Sequence, residues 1–238
     1  MEHEHTREAI QKRLADGGRQ SYLRDFIYGG VDGIVTTFAI VSGVTGAQLA
    51  PGIILILGGA SLVADGFAMA AGDFLATKAE QEEYRHAEAI ERRHIELYPS
   101  GERDEIREIL LNQGIAEEFL EAAVGQVTAN PERWVRMMLR DEYGLPAAVR
   151  SPWRAAGSTF SAFLICGLIP LLPFLAGVRH PFEIAAAVTA VVFFGIGALK
   201  SRWSVEPWWL SALSTLAIGG GAAVVAYFAG AWLRGFAG

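Results

Sequence analysis

Long apolar runs with almost no charge constrain this chain more than any other feature. Between residues 26 and 77 the only formal charges are those of Asp32, Asp65 and Asp73. Charges are dense from 78 to 154 and sparse again towards the end of the chain. A helix needs about 20 mostly apolar residues to cross a bilayer core about 30 Å thick. The pattern therefore predicts membrane-spanning blocks on either side of a polar insert.

Five apolar segments reach or approach the length of a membrane span. The second is followed, up to about Tyr98, by a polar stretch without Gly or Pro, so we expect this helix to continue beyond the membrane. No segment indicates a strand. The predicted fold class is an all-α membrane protein with five transmembrane helices and a cytosolic helical insert between helices 2 and 3. The predicted spans are 26–47, 51–77, 155–177, 181–199 and 207–233.

Turn and capping residues divide the insert into several helices. Pro99-Ser100-Gly101 interrupts the first, and Ser100 is placed to cap a helix that runs to about Asn112. An amphipathic helix is expected over 115–128, and Pro131 stands at the start of the last one, a position that proline favours. The predicted parts are a cytosolic segment (1–24), transmembrane helices 1 and 2 (25–78), the insert (79–150) and transmembrane helices 3 to 5 (151–238).

The distribution of Lys and Arg predicts the orientation in the membrane. More than half of the 20 basic residues lie in 78–154, whereas the link between the third and fourth spans carries only Arg179. A cytosolic N-terminus places the basic-rich pieces inside, and five spans then place the C-terminus outside. The dispersed basic residues indicate no nucleic-acid partner. The first 24 residues lack the apolar core of a signal peptide, and we expect a multi-pass protein of a bacterial inner membrane.

Charged and polar groups within the predicted spans are the first candidates for function. Asp32 lies among glycines in the first span, and Ser61, Asp65, Met69 and Asp73 follow one another at four-residue intervals in the second. Residues four apart share one helical face. Carboxylates in a membrane usually serve a transport pathway or a buried pair. Alternatively, these carboxylates are packing groups satisfied by Ser, Thr or the backbone, and the methionine fills the core.

The insert carries a second set of candidate ligands. Glu91 and His94 form an E-x-x-H pair on one helical face, and Glu102 and Glu105 form another pair on the next helix. Di-iron carboxylate bundles need two E-x-x-H motifs, and this chain has one, so it does not fit that template. A lone cysteine, Cys166, excludes an intrachain disulfide and a multi-cysteine metal site. The alternative is that these acidic faces are simply solvated.

Three stretches resemble the vacuolar iron transporter family. They are RDFIYGGVDGIVTTFAIVSGVTGA in the first span, GFAMAAGDFLATKAE in the second, and GLIPLLPFLAG in the third. The resemblance extends from about Tyr22 to the C-terminus and is strongest in the first two spans. It implies five spans, a homodimer, and a proton-coupled exchanger that moves ferrous iron out of the cytosol. It also implies a cytosolic helical domain that binds metal through Glu and Met.

The resemblance also assigns roles to particular span residues. Asp32 matches the family's aspartate on the transport pathway, and Met69 matches its second-span methionine. The family's second-span glutamate falls at Ser61 here, which is a departure. Asp65, one turn nearer the cytosol, is the residue that we expect to replace that glutamate.

In the insert, the resemblance matches most of the family's metal ligands. Glu91, Glu102 and Glu105 fall on ligand glutamates, and His94 falls where the family has another glutamate. Histidine remains a competent ligand for Fe(II) or Mn(II), with one negative charge less. Two further ligand positions, near the end of the insert, fall on Met138 and Glu142. Without the resemblance, the sequence predicts that Met138 lies in the core of the insert and Glu142 on its surface.

The function predicted on these grounds is transport rather than catalysis. We expect a divalent-metal transporter that exports Fe(II), with Mn(II) as a second candidate substrate, in exchange for protons. The expected partners are a second copy of the chain, divalent metal ions, protons and the lipid bilayer, and no permanent cofactor is expected. The alternative is a membrane-anchored metal-binding or ferroxidase-like protein in which the insert acts and the spans only anchor it.

Overall fold

The computed structural model describes residues 4, 6–15, 21–146, 150–201 and 206–237. Helices account for nearly all of these residues, and this part of the chain contains no strand, which confirms the predicted all-α class. The helices are α1 (Arg7–Ala15), α2 (Leu23–Gly46), α3 (Pro51–Leu97), α4 (Pro99–Asn112), α5 (Glu117–Thr128), α6 (Pro131–Asp141), α7 (Pro152–Leu168), α8 (Leu172–Leu175), α9 (Pro181–Lys200) and α10 (Trp208–Ala237).

Five helical segments in the described residues are long and apolar enough to cross a membrane. They correspond to α2, α3, α7 with α8, α9 and α10, so the prediction of five spans is confirmed. In the third span, Pro170 removes a backbone donor. The helix narrows there to a 3₁₀ turn over Ile169–Leu171 before α8 continues it.

The second span belongs to a helix of 47 residues, α3, that no Gly or Pro interrupts after the apolar stretch. This confirms the expectation that one helix continues into the polar region. Pro99 starts α4, with Tyr98 as the N-cap residue and without a side-chain cap. The prediction that Ser100 caps this helix is wrong, because a proline at the first helical position already has the required φ and no N–H to satisfy.

The first compact unit consists of residues 21–75 and 152–238 and contains the apolar helices. Within it α2 is central and packs against α7, α9 and α10. Glycine allows the contact with α7. A Cβ built on Gly29 or Gly33 would lie 2.4 Å from the carbonyl oxygen of Thr159 or Phe163, respectively. The glycines that surround Asp32 in the sequence therefore let two helix backbones approach closely, as small residues do in membranes.

The second compact unit contains residues 76–151 together with the N-terminal segment. We call residues 76–151 the polar unit. Its core is formed by α4, α5 and α6, with Ile106, Val124, Trp134 and Met138 among the buried residues. Pro131 begins α6, as predicted, and the Asn130 side chain accepts a hydrogen bond from the Arg133 N–H as its cap.

An arginine joins two helices of the polar unit. The two terminal nitrogens of Arg92 on α3 donate to the two carboxylate oxygens of Glu132 on α6, at 2.9 and 2.8 Å. Arg92 also pairs with Glu88, one turn earlier on its own helix, at 2.8 Å. A bidentate arginine–carboxylate pair fixes geometry better than a single contact does. It therefore helps to hold α6 against α3, on which Glu91 and His94 lie.

Candidate metal-binding sites

Two glutamates of the polar unit meet away from solvent. Glu91 on α3 has 1% of its surface exposed and Glu102 on α4 has 4%. The Nδ1 atom of His94 lies 3.4 Å from a carboxylate oxygen of Glu102 and 4.0 Å from one of Glu91. The break at Tyr98 reverses the chain, so residues eight or more positions apart come together. The structure therefore brings together three of the predicted ligands.

One oxygen of each buried glutamate accepts no hydrogen bond from a donor group among the described residues. Glu91 Oε2 and Glu102 Oε2 are buried and accept no hydrogen bond from the described residues. A buried polar atom without a partner is costly, and a buried charge more so. Burial, followed by repulsion from Glu91, Glu105 and Glu142, raises the pKa of Glu102 to about 7. Both observations fit a cation-binding site, in which a bound cation would offset the negative charge of the buried carboxylates.

The remaining predicted ligands lie around this pair in different environments. Burial, followed by repulsion from Glu91 and Glu105, raises the pKa of Glu142 to about 7. Glu105 itself is exposed on α4. Met138 is fully buried in the core of the unit. The Glu142 N–H donates to the Met138 carbonyl oxygen at 2.9 Å, at the end of α6.

The ligands are near one another without forming a closed coordination sphere. Among the described residues, no three His, Cys, Asp or Glu side chains are arranged to hold one ion in their present positions. The donor set, with several carboxylates and one imidazole, suits Mn(II) or Fe(II).

A tyrosine that the sequence reasoning missed belongs to this cluster. The Tyr143 hydroxyl donates to Glu91 Oε1 at 2.9 Å. Burial and this bond raise the pKa of Tyr143, so the phenol stays protonated at neutral pH. No ligand spacing points to it, because a tyrosine beside Glu142 is unremarkable in a helical sequence. The available signal was Gly144, which lies three residues beyond the end of α6 and has a positive φ of 67°.

The candidate residues of the spans form a looser arrangement. Asp32 on α2 is partly buried, whereas Asp65 on α3 is exposed in the single chain. The two carboxylates are close enough for their charges to repel. Ser61 donates its hydroxyl to Asp65, one turn further along α3. Met69, on the same stripe, is partly buried.

Asp73 differs from the other two span aspartates. Its Oδ2 atom accepts a hydrogen bond of 2.6 Å from the hydroxyl of Thr159 on α7. Thr159 is buried, with 1% of its surface exposed. This bond ties α3 to α7, so one oxygen of Asp73 already has a structural partner.

These features define a multi-pass membrane protein with carboxylates both in its spans and in a separate polar unit. The chain belongs to the VIT family, whose model matches residues 23–231. It is 32% identical over 210 residues to a "Vacuolar iron transporter 1" of Oryza sativa subsp. japonica, covering 86% of this chain and 82% of that protein. The family resemblance inferred from the span motifs is confirmed.

Two other relatives come from Arabidopsis thaliana and Toxoplasma gondii. A "Vacuolar iron transporter 1" of Arabidopsis thaliana is 31% identical over 211 residues, with 86% of this chain and 83% of the relative covered. A "Vacuolar iron transporter" of Toxoplasma gondii is 29% identical over 225 residues, with 90% and 74% covered. In each case the similar region includes most of the chain, and therefore both the spans and the polar unit.

Proposed function

We propose that this chain exports Fe(II) from the cytosol in exchange for protons, with Mn(II) as a second substrate. One observation carries the proposal: two carboxylates, Asp32 and Asp65, lie near each other in membrane spans. No Lys, Arg or His among the described residues pairs with either of them. Carboxylates in this setting are costly unless a cation uses them. The relatives' names indicate that the cation is iron.

Proton exchange follows from the chemistry of the ligands. A carboxylate oxygen binds either a proton or a metal ion, and the two compete. A proton that enters from the far side can therefore displace the metal from Asp32 and Asp65. Met69 adds a thioether, which favours a transition metal over Mg²⁺ or Ca²⁺. In this scheme Asp73 keeps α3 packed on α7 through Thr159, and its second oxygen remains a candidate contact for the ion.

The polar unit is the proposed collecting site. Glu91, His94, Glu102, Glu105 and Glu142 supply four carboxylates and an imidazole, and Met138 supplies a thioether from the core. The buried oxygens of Glu91 and Glu102 that lack a partner support this assignment. Carboxylates of pKa about 7 change charge near cytosolic pH, which suits reversible binding.

We further propose that the transporter is a homodimer. Asp65 is exposed in the single chain, and so is Ala68, three residues further along on the same side of α3. A carboxylate that faces lipid is unfavourable. A second copy that covers this face would remove Asp65 from lipid and place the pathway between α2 and α3 of the two chains.

The orientation is proposed from the positions of the basic residues. Residues 1–24 and 79–150 would face the cytosol and the C-terminus would face outward, because Lys and Arg are concentrated in those two segments. The membrane would be a bacterial inner membrane.

Metal flux in proteoliposomes tests the transport function against its rival. The rival is a ferroxidase-like protein whose polar unit oxidises Fe(II) while the spans anchor it, and the burial of Glu91 and Glu102 within one unit is the observation in its favour. We expect Fe(II) to enter vesicles anaerobically, as measured by a trapped iron-quenched dye. Oxygen consumption with Fe(II), without anaerobic entry, would support the rival. The Asp32→Asn variant is the matched control and should abolish entry.

A further inference from the structure

The end of α6 holds Tyr143 in a fixed position. Gly144, with φ of 67°, adopts the left-handed conformation that commonly ends a helix. The Tyr143 N–H donates to the Met138 carbonyl at 3.3 Å, and the Leu145 N–H donates to the Leu139 carbonyl at 2.8 Å. Leu145 also packs on the cluster that contains Leu139. The backbone is therefore anchored on both sides of the tyrosine.

From this position Tyr143 makes an asymmetric contact with Glu91. Its hydroxyl donates to Oε1 at 2.9 Å, whereas Oε2 of the same carboxylate is buried without a partner. Glu91 lies 52 residues away in sequence, on α3. The two oxygens of one carboxylate are thus distinguished: Oε1 accepts from a phenol, and Oε2 accepts from no donor group of the described residues.

We propose that Tyr143 is a positioning residue for the metal site, which holds Glu91 Oε1 so that Oε2 alone is presented to a divalent ion. The inference rests on the proposed metal binding by the polar unit and adds a residue that does not itself touch the ion. Groups that hydrogen-bond a metal ligand fix its orientation, and their loss typically weakens metal affinity about 10–100-fold. Glu91 needs this constraint because a glutamate side chain otherwise has several rotamers to lose on binding.

A merely structural tyrosine would act differently from a positioning one. If Tyr143 only fastens the end of α6, its removal should weaken metal binding whether or not Glu91 is present. If Tyr143 acts through Glu91, its removal should matter only when residue 91 is a carboxylate. A double-mutant cycle separates these two cases.

The experiment uses the full chain in detergent and Mn(II) as the probe, with free Mn(II) measured by electron paramagnetic resonance. We expect Tyr143→Phe to weaken the Glu91-dependent class of Mn(II) sites about 10-fold. In the Glu91→Leu background, where residue 91 has no acceptor for the phenol, the same substitution should have no further effect. Tyr84→Phe is the control, since Tyr84 packs against the cluster of Ala87, Val135 and Leu139 in the same unit. It should bind Mn(II) as the original chain does.

Three results would overturn the inference. The first is Mn(II) affinity unchanged in Tyr143→Phe, and the second is an equal loss in the Glu91→Leu background. The third needs no variant to fold: Mn(II) addition to the original chain should perturb the tyrosine ultraviolet difference spectrum, and no perturbation contradicts the contact with Glu91. Absence of any Glu91-dependent Mn(II) binding would refute metal binding by the polar unit, and this inference with it.

Discussion

The carboxylates of the spans and those of the polar unit are held in different ways. Glu91 and Glu102 are buried within a single chain, close to His94 and to a hydrogen-bonding tyrosine. Asp65 is exposed in the single chain, and within the part of the chain that the structure describes Ser61 alone donates a hydrogen bond to it. The fold of the polar unit therefore brings its candidate ligands together within one chain. Asp65 in the spans would be shielded from lipid only by groups from outside the single chain. This difference predicts that metal binding and transport can be separated by mutation.

The largest effect is expected from Asp65→Asn, which should lower Fe(II) flux at least about 100-fold in proteoliposomes, because asparagine keeps the size but cannot ionise. Asp73→Asn on the same helix is the matched comparison. Asparagine can still accept the bond from Thr159, so we expect a much smaller loss. Ser61→Ala should also be mild.

A second substitution distinguishes charge from packing at Asp65. Ser61 lies one turn away, about 6 Å along the helix. Ser61→Glu added to Asp65→Asn should recover part of the flux if a carboxylate is what this stretch of α3 must supply. Normal flux in Asp65→Asn would show that Asp65 is a structural group and would leave Asp32 and Met69 as the span site.

Substitutions in the polar unit are expected to weaken metal binding, whereas a substitution in the spans should leave that binding unchanged. Glu102→Ala with Glu105→Ala should weaken Mn(II) binding to the full chain on the order of 100-fold by calorimetry, since two ligands are lost. Asp32→Ala should leave this binding unchanged while it stops transport. Glu108→Ala, an exposed site on the same helix, is the control. Equal affinity in the double variant and the control would contradict metal binding at Glu102 and Glu105.

The pH dependence of binding is the next largest effect. Glu102 and Glu142 have pKa values raised to about 7, so most of each is protonated at pH 6 and ionised at pH 8. Protons compete with the metal, and Mn(II) affinity should therefore rise about 10–100-fold between these values. Glu142→Gln should flatten the rise. Affinity independent of pH across this range would contradict the assignment of these two groups.

Sequence patterns predicted the helices better than they predicted the sites. Apolar length and helix-breaking residues located five spans and the start of α6 at Pro131, because these depend on local chemistry. The stripe from Ser61 to Asp73 followed from helical periodicity. Periodicity could not show that Asp73 bonds Thr159 on another helix, and spacing could not show that Tyr143 reaches Glu91. Both contacts depend on how distant parts of the chain pack together, which local sequence patterns do not predict.

The smallest expected effect concerns the stability of the metal-free polar unit. The pKa of Glu102 is higher in the folded chain than the ordinary 4.5, so the folded state binds protons that the unfolded state has lost. The free energy of unfolding should then fall as pH rises from about 4.5 through about 7. We expect an apparent Tm roughly 5 °C lower at pH 8 than at pH 5, and Mn(II) should reverse the drop. A Tm that rises over this range would contradict the prediction.

Proton movement during metal transport tests the central proposal most directly. The full chain is reconstituted in vesicles that contain a pH-sensitive dye, and Fe(II) or Mn(II) is added outside under anaerobic conditions. Exchange predicts that metal entry makes the lumen more alkaline, because protons leave as the ion enters, and that Asp65→Asn abolishes both signals. Metal entry without a change of luminal pH, or the same change in Asp65→Asn, would contradict proton exchange through the span carboxylates.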